Sequence, residues 1–235
     1  MLTDLHTDVL NVSDKEKAQF LMRFFKTGKG QYGEGDIFCG ITVPVSRKIA
    51  IKHKDLSLSD VSSLLKSAVH EERLIALLIL VAQFKKGDEK TRTEIFDFYL
   101  AHTRYINNWD LVDLSADKIV GEYLKTHDRS VLAKLAHAQN LWERRIAMIA
   151  TFQFIKDLKE FDDAFAIADI LLHDKEDLIQ KAVGWMLREV GKRISREELE
   201  SFLKPRYKTM PRTMLRYAIE HFTQEKRKRY LQGSI

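Results

Sequence analysis

The chain has little that interrupts a helix: three prolines and ten glycines among 235 residues. No run of alternating polar and apolar residues marks a strand. With 45% apolar residues and a composition rich in Leu, Ala, Lys, Glu and Arg, this scarcity points to an all-α protein. The single cysteine, Cys39, excludes an internal disulfide and suits a reducing cytoplasm. No stretch approaches about 18 uncharged apolar residues, so no membrane span is expected. Residues 1–11 carry acids and no long apolar run, unlike a signal peptide. Also missing are H-E-x-x-H, paired C-x-x-C, P-loop and G-x-S-x-G patterns. The eight histidines include no i,i+4 pair. Neither a metal nor a cofactor is expected. The formal charge is +5 and the pI about 9.1, compatible with a polyanionic partner but too modest to demand one.

What is present is helical periodicity. In residues 14–26, Ala18, Leu21, Met22 and Phe25 fall at i, i+3, i+4 and i+7, the pattern of a core-facing stripe. Ser13 with Glu16 fits a capping box, and Thr27-Gly28 a C-terminal stop. Residues 28–40 are the glycine-rich part of the chain. Gly28 to Gly33 formally match G-x-G-x-x-G, but a helix precedes them and more loop follows. A dinucleotide site needs the reverse context, so the segment reads as a mobile loop between helices. Further helices are predicted at 43–53, 58–68, 71–85, 88–101, 109–125, 128–138, 141–156, 160–172, 175–192, 195–203, 211–222 and 224–231. Short connections suit antiparallel pairs.

The chain also resembles itself. Glu72-Arg73-Leu74-Ile75-Ala76 is echoed by Glu143-Arg144-Arg145-Ile146-Ala147, and Ala76, Val112, Ala147 and Ala182 step by 36, 35 and 35 residues. A period in the mid-thirties fits HEAT-like two-helix repeats. The expectation is one right-handed α-solenoid over residues 1–235, with a core at about 14–222 and a basic tail at 223–235.

Within that pattern, Trp109 and Asp113 lie four apart and share a helix face. They are either an exposed functional pair or a packed indole with a capping or paired acid. Asp110 reads as a first-turn acid favoured by the helix dipole. Arg144-Arg145 occupy the matching position one repeat later, directed at phosphate or at a neighbouring acid. Trp185 follows Gly184, whose size permits close helix approach; the indole is either core or functional. Trp142 reads as packing. Residues 204–229 carry nine Lys/Arg against Glu220 and Glu225, a local charge of +7 that is either a solvated face or a phosphate contact.

Several stretches resemble the DNA alkylation repair glycosylase family of AlkD-like, HEAT-like repeat proteins. They are Phe38-Cys39-Gly40-Ile41 with Pro44, Asn108 to Asp113, Trp142 to Ala147, and Ile179 to Glu189. The resemblance runs over roughly residues 14–222. It implies a helical solenoid whose concave basic face cradles duplex DNA, and an activity that excises positively charged N3- and N7-alkylated purines in base excision repair. The family's aromatic, carboxylate, arginine and second tryptophan fall on Trp109, Asp113, Arg145 and Trp185. Asp113, Trp109 and Trp185 are thus the expected catalytic residues. Arg145, Arg144, Lys181, Arg188, Arg212 and Arg216 are the cations expected at DNA phosphates. A charged lesion is already a good leaving group, so no general acid is required. Asp113 would offset an oxocarbenium-like sugar while the two indoles hold it, and the lesion would need no base-flipping pocket. A monomeric cytoplasmic enzyme acting on double-stranded DNA is the expectation. The alternatives are a non-catalytic HEAT-repeat protein that recognises distorted or branched DNA, and a protein-binding scaffold.

Overall fold

A computed structural model describes residues 2–235. Among them there is no strand; an isolated parallel bridge links Ile37 and Val69. The chain divides into two compact units, the first ending at Ser115 and the second spanning Ala116–Ile235.

The first unit contains α1 (Leu2–Asn11), α2 (Lys15–Phe24), α3 (Val43–Lys52), α4 (Leu58–Leu65), α5 (His70–Lys86), α6 (Glu89–Ala101) and α7 (Trp109–Asp113). Its centre is α5, which packs against α3, α4, α6 and α7. Leu74 to Leu80 are buried on every side of α5, as expected of a helix surrounded by others. Its first turn is polar yet equally buried: His70, Glu71, Glu72 and Arg73 are all covered.

The second unit starts with a π-helical turn, Asp117–Gly121, that runs into α8 (Glu122–Leu124). There follow α9 (Ser130–Ala136), α10 (Leu141–Ala150), a second π-turn at Phe154–Leu158, α11 (Asp162–Ile170), α12 (Asp177–Arg193), α13 (Arg196–Leu203), α14 (Arg212–Ala218) and α15 (Gln224–Gln232). Here α12 is central and packs against α10, α11, α13 and α14. A Cβ on Gly184 would lie 2.5 Å from the Met214 carbonyl and from Tyr217 Cβ, so glycine is what allows α12 and α14 to approach.

The four repeat positions Ala76, Val112, Ala147 and Ala182 are all fully buried, on α5, α7, α10 and α12. The stripe expected on residues 14–26 is not a core stripe. Only Phe25, just past the helix, is buried; Met22 is exposed, and no residue of α2 itself is buried. The reason is that Leu21 and Phe24 line an open cavity, whereas Phe25 packs on Phe38 and Trp109. The N-cap also moves by one residue: Asp14 accepts the Lys17 N–H, while Ser13 Oγ donates to the Val9 carbonyl of α1.

Candidate functional site

The glycine-rich segment forms a loop whose second half is tied to the first turn of α5. Ile37 N–H donates to Ala68 O, and His70 N–H to Ile37 O. Three successive backbone N–H groups, of Cys39, Gly40 and Ile41, donate to the Glu71 carboxylate at 2.9, 2.8 and 3.1 Å. Gly40 lies at φ +82°, and a Cβ there would fall 2.1 Å from the Asp14 carbonyl. Burial, and then the Glu71 charge, push the Cys39 thiol upward, so it is no activated nucleophile.

Beside this knot lies a charged cluster. Asp36, His70, Arg73 and Asp110 are each more than nine-tenths buried. His70 Nδ1 is 3.2 Å from Asp36 and its Nε2 is 2.8 Å from Asp110. Arg73 pairs with the other Asp36 oxygen at 2.6 Å and donates to the Ser67 carbonyl at 2.8 Å. Burial opposes the His70 proton, but the charge and hydrogen bond of Asp110 and the hydrogen bond of Asp36 outweigh it, and the ring is pushed up to about 9. Burial would raise Asp36; its hydrogen bond from His70 and the Arg73 charge win and lower it. Asp110 is therefore more than a dipole-favoured first-turn acid: one oxygen holds His70 and the other accepts Leu111 N–H at 2.9 Å.

This cluster supports α7. Asn108 caps it, accepting Trp109 N–H at 2.8 Å. Trp109 and Asp113 stand at the two ends of this short helix, both half-buried. They lie on a cavity of about 400 Å³ bounded also by Leu21, Phe24, Phe25, Phe38, Ile41, Thr42, Val43, His70, Glu71, Leu74, Asp110 and Leu114. The Trp109 ring stacks on Phe25 at 5.1 Å and meets the edge of exposed Phe24 at 6.0 Å. Each of the two side chains borders the cavity, and the Trp109 indole also packs on Phe25.

The remaining candidates belong to the second unit. Trp185 is half-buried, with its Nε1 3.3 Å from Glu189 and its ring 6.4 Å from Phe152. Glu189 is buried; desolvation works against its charge, but the Arg193 hydrogen bond prevails and lowers it. Arg145 is buried, and its Nη1 donates to the Leu178 carbonyl, which braces α10 against the start of α12. Arg144 is half-buried, pairs with Asp174 at 2.7 Å and donates to the carbonyls of Ala138 and Gln139. Lys181 pairs with Asp177 at 2.6 Å, and Arg188 with Glu220. Arg212 and Arg216 are exposed, the former donating to Leu231 O at 2.6 Å. Trp142 is buried, as its packing reading expects.

The sequence pattern shared by DNA alkylation repair enzymes matches residues 5–222. The chain belongs to the DNA alkylation repair enzyme family. A solved structure of a predicted DNA alkylation repair enzyme from Enterococcus faecalis has the same fold, with a TM-score of 0.69 at 18% identity over 90% of this chain and 97% of that one. No curated protein matches the chain. No helix among the described residues of this DNA alkylation repair family member is long and apolar enough to cross a membrane.

Sequence reasoning missed Phe24, Phe25, Asp36, His70 and Arg73. A signal for the last two was present. Four polar residues open a helix whose body is apolar all round, and polar groups forced under cover must find partners.

Proposed function

We propose that the chain is a monofunctional alkylpurine-DNA glycosylase that releases positively charged N3- and N7-alkylated purines from duplex DNA. One observation carries this reading: Asp113 and Trp109 sit on a single short helix, half-buried, and both line an aromatic, largely apolar cavity. An alkylated purine already bears positive charge, so its glycosidic bond breaks without a general acid. The positive charge then passes to the sugar. A fixed carboxylate in a partly dry site stabilises that charge where it develops and can orient the incoming water. An indole face beside it attracts an electron-poor ring. Neutral lesions, which need a proton on the leaving base, are expected to be poor substrates. In this reading the lesion is met from the backbone side without entering a pocket.

Phosphate contact is proposed for the cations of the second unit, and exposure favours Arg212 and Arg216. Burial of Arg145, and its bond to Leu178 O, favour a second reading for that residue as an internal brace. The test is release of free 3-methyladenine and 7-methylguanine from methylated duplex DNA. Release by the wild type and none by Asp113→Asn, with duplex binding retained, supports the enzyme. Tight binding to distorted or branched DNA without release by either protein makes it the non-catalytic binder.

A further inference from the structure

We propose that His70 is the positioning residue for the Trp109–Asp113 pair, clamped between Asp36 and Asp110 and packed in a cluster of rings that includes the Trp109 indole. The inference rests on the glycosylase reading for its catalytic consequence and on geometry alone for the clamp.

Two routes run from His70 to Trp109. The first is polar. His70 Nε2 meets Asp110 at 2.8 Å, and Asp110 is the residue directly after Trp109. His70 Nδ1 meets Asp36 at 3.2 Å. The same Asp36 oxygen accepts from Asn108 Nδ2 at 3.4 Å, and Asn108 is the residue directly before Trp109. The residues on both sides of the indole are thus tied to one buried pair. The second route is aromatic. His70 stacks on Phe38 at 4.5 Å and 20° and meets Phe25 directly at 5.1 Å, Phe38 stacks on Phe25 at 5.0 Å and 23°, and Phe25 on Trp109 at 5.1 Å and 14°. The two routes form a closed ring of contacts.

A helix of five residues has almost no stability of its own. The direction of α7, and so of Trp109 and Asp113, is set by its anchors. With a carboxylate at each nitrogen, both ring nitrogens of His70 must donate, which only the imidazolium can do. The other groups facing the ring leave this requirement in place. Arg73 is engaged with Asp36, Phe25 and Phe38 are apolar, and the neighbouring Glu71 carboxylate is filled by three backbone N–H groups. Loss of the His70 proton turns a lone pair toward one carboxylate and opens that arm of the clamp.

The experiment reads the clamp apart from the chemistry. In a Trp142→Phe, Trp185→Phe background, Trp109 is the only indole. Its emission is followed from about pH 6 to about pH 10. A transition with a midpoint near 9 is expected, and His70→Gln should abolish it. In the otherwise wild-type chain, the single-turnover rate of base release, corrected for an enzyme-free control, should fall with the same midpoint. His70→Gln should lower that rate about tenfold or more at neutral pH, because the indole and carboxylate are displaced rather than removed, with duplex affinity within about twofold. Its pH profile should lack the alkaline fall. Should His70→Gln fail to fold, Asp110→Asn retains an acceptor for Nε2 without the charge, and must move the midpoint downward. A folded His70→Gln chain whose Trp109 emission and release rate match the wild type overturns the clamp. Absence of release by the wild type together with an intact Trp109 transition instead refutes the glycosylase reading and leaves the clamp standing.

Discussion

Asp113 owes its proposed role to being half in water. A carboxylate sealed in the core would cost more than it gives, and a fully solvated one would be screened. Lining an apolar cavity, Asp113 is only partly hydrated. Asp113→Asn keeps the shape and removes the charge. We expect base release to fall by about a hundredfold or more with little change in duplex affinity, as is typical when a preorganised electrostatic partner is lost. Single-turnover assays beside a binding titration check it. Arg145 presents the opposite situation. Its guanidinium is buried and donates to Leu178 O. Arg145→Ala removes a buried guanidinium and its bond to the part-buried Leu178 carbonyl and should cost about 1–3 kcal/mol, measured by urea denaturation. Duplex affinity of the folded variant then separates its two readings: unchanged affinity makes it a brace, and weakened affinity a phosphate contact.

At the level of elements, two breaks decide how helices are cut. The sequence predicts single helices over 109–125 and 141–156, and the structure interrupts both. After α7, Ser115 Oγ donates back to the Leu111 carbonyl and also meets Tyr99 Oη at 2.9 Å. After α10, Thr151 Oγ1 donates back to Met148 O at 2.7 Å. Hydroxyls that bond to an earlier carbonyl compete with the helical ladder and bend it, and each break leads into a π-turn. The effect leaves α7 short enough to depend on its clamp. Close approach is the other constraint on elements. Gly184→Ala would push a Cβ against the backbone of α14. We expect a loss of about 1–3 kcal/mol, the usual range for overpacking a tight contact, seen as a lower thermal midpoint.

For the whole molecule, pH and salt are the informative variables. The raised value of His70 means that the folded state holds a proton the unfolded chain releases near 6.5. The stabilisation from that proton is complete below about pH 6.5 and is lost as pH rises through about 9. Thermal melts from neutral to alkaline pH should show falling stability over that window, and His70→Gln should remove this component. Affinity for undamaged duplex should fall linearly with the logarithm of salt, by about 0.9 log units per log unit of salt for each phosphate neutralised. If Arg216 contacts phosphate, Arg216→Ala should reduce that slope by about 1 without changing lesion preference.

By itself the sequence determined the helical class and the placement of most helices, and it marked Ala76, Val112, Ala147 and Ala182, all of which are buried. It also singled out Trp109 and Asp113, because side chains four apart on a helix share a face whatever surrounds them. These properties are local, written in spacing over a few turns. Tertiary structure decided the rest. Asp36, His70 and Asp110 are separated by 34 and 40 residues, and no periodicity pairs them. The apolar stripe on residues 14–26 meets a cavity instead of a core, and arginines that could equally face phosphate are engaged with Asp174 and Leu178. Spacing along the chain states which residues are apolar or charged. Only packing in three dimensions assigns each charge its partner and each apolar face something to cover.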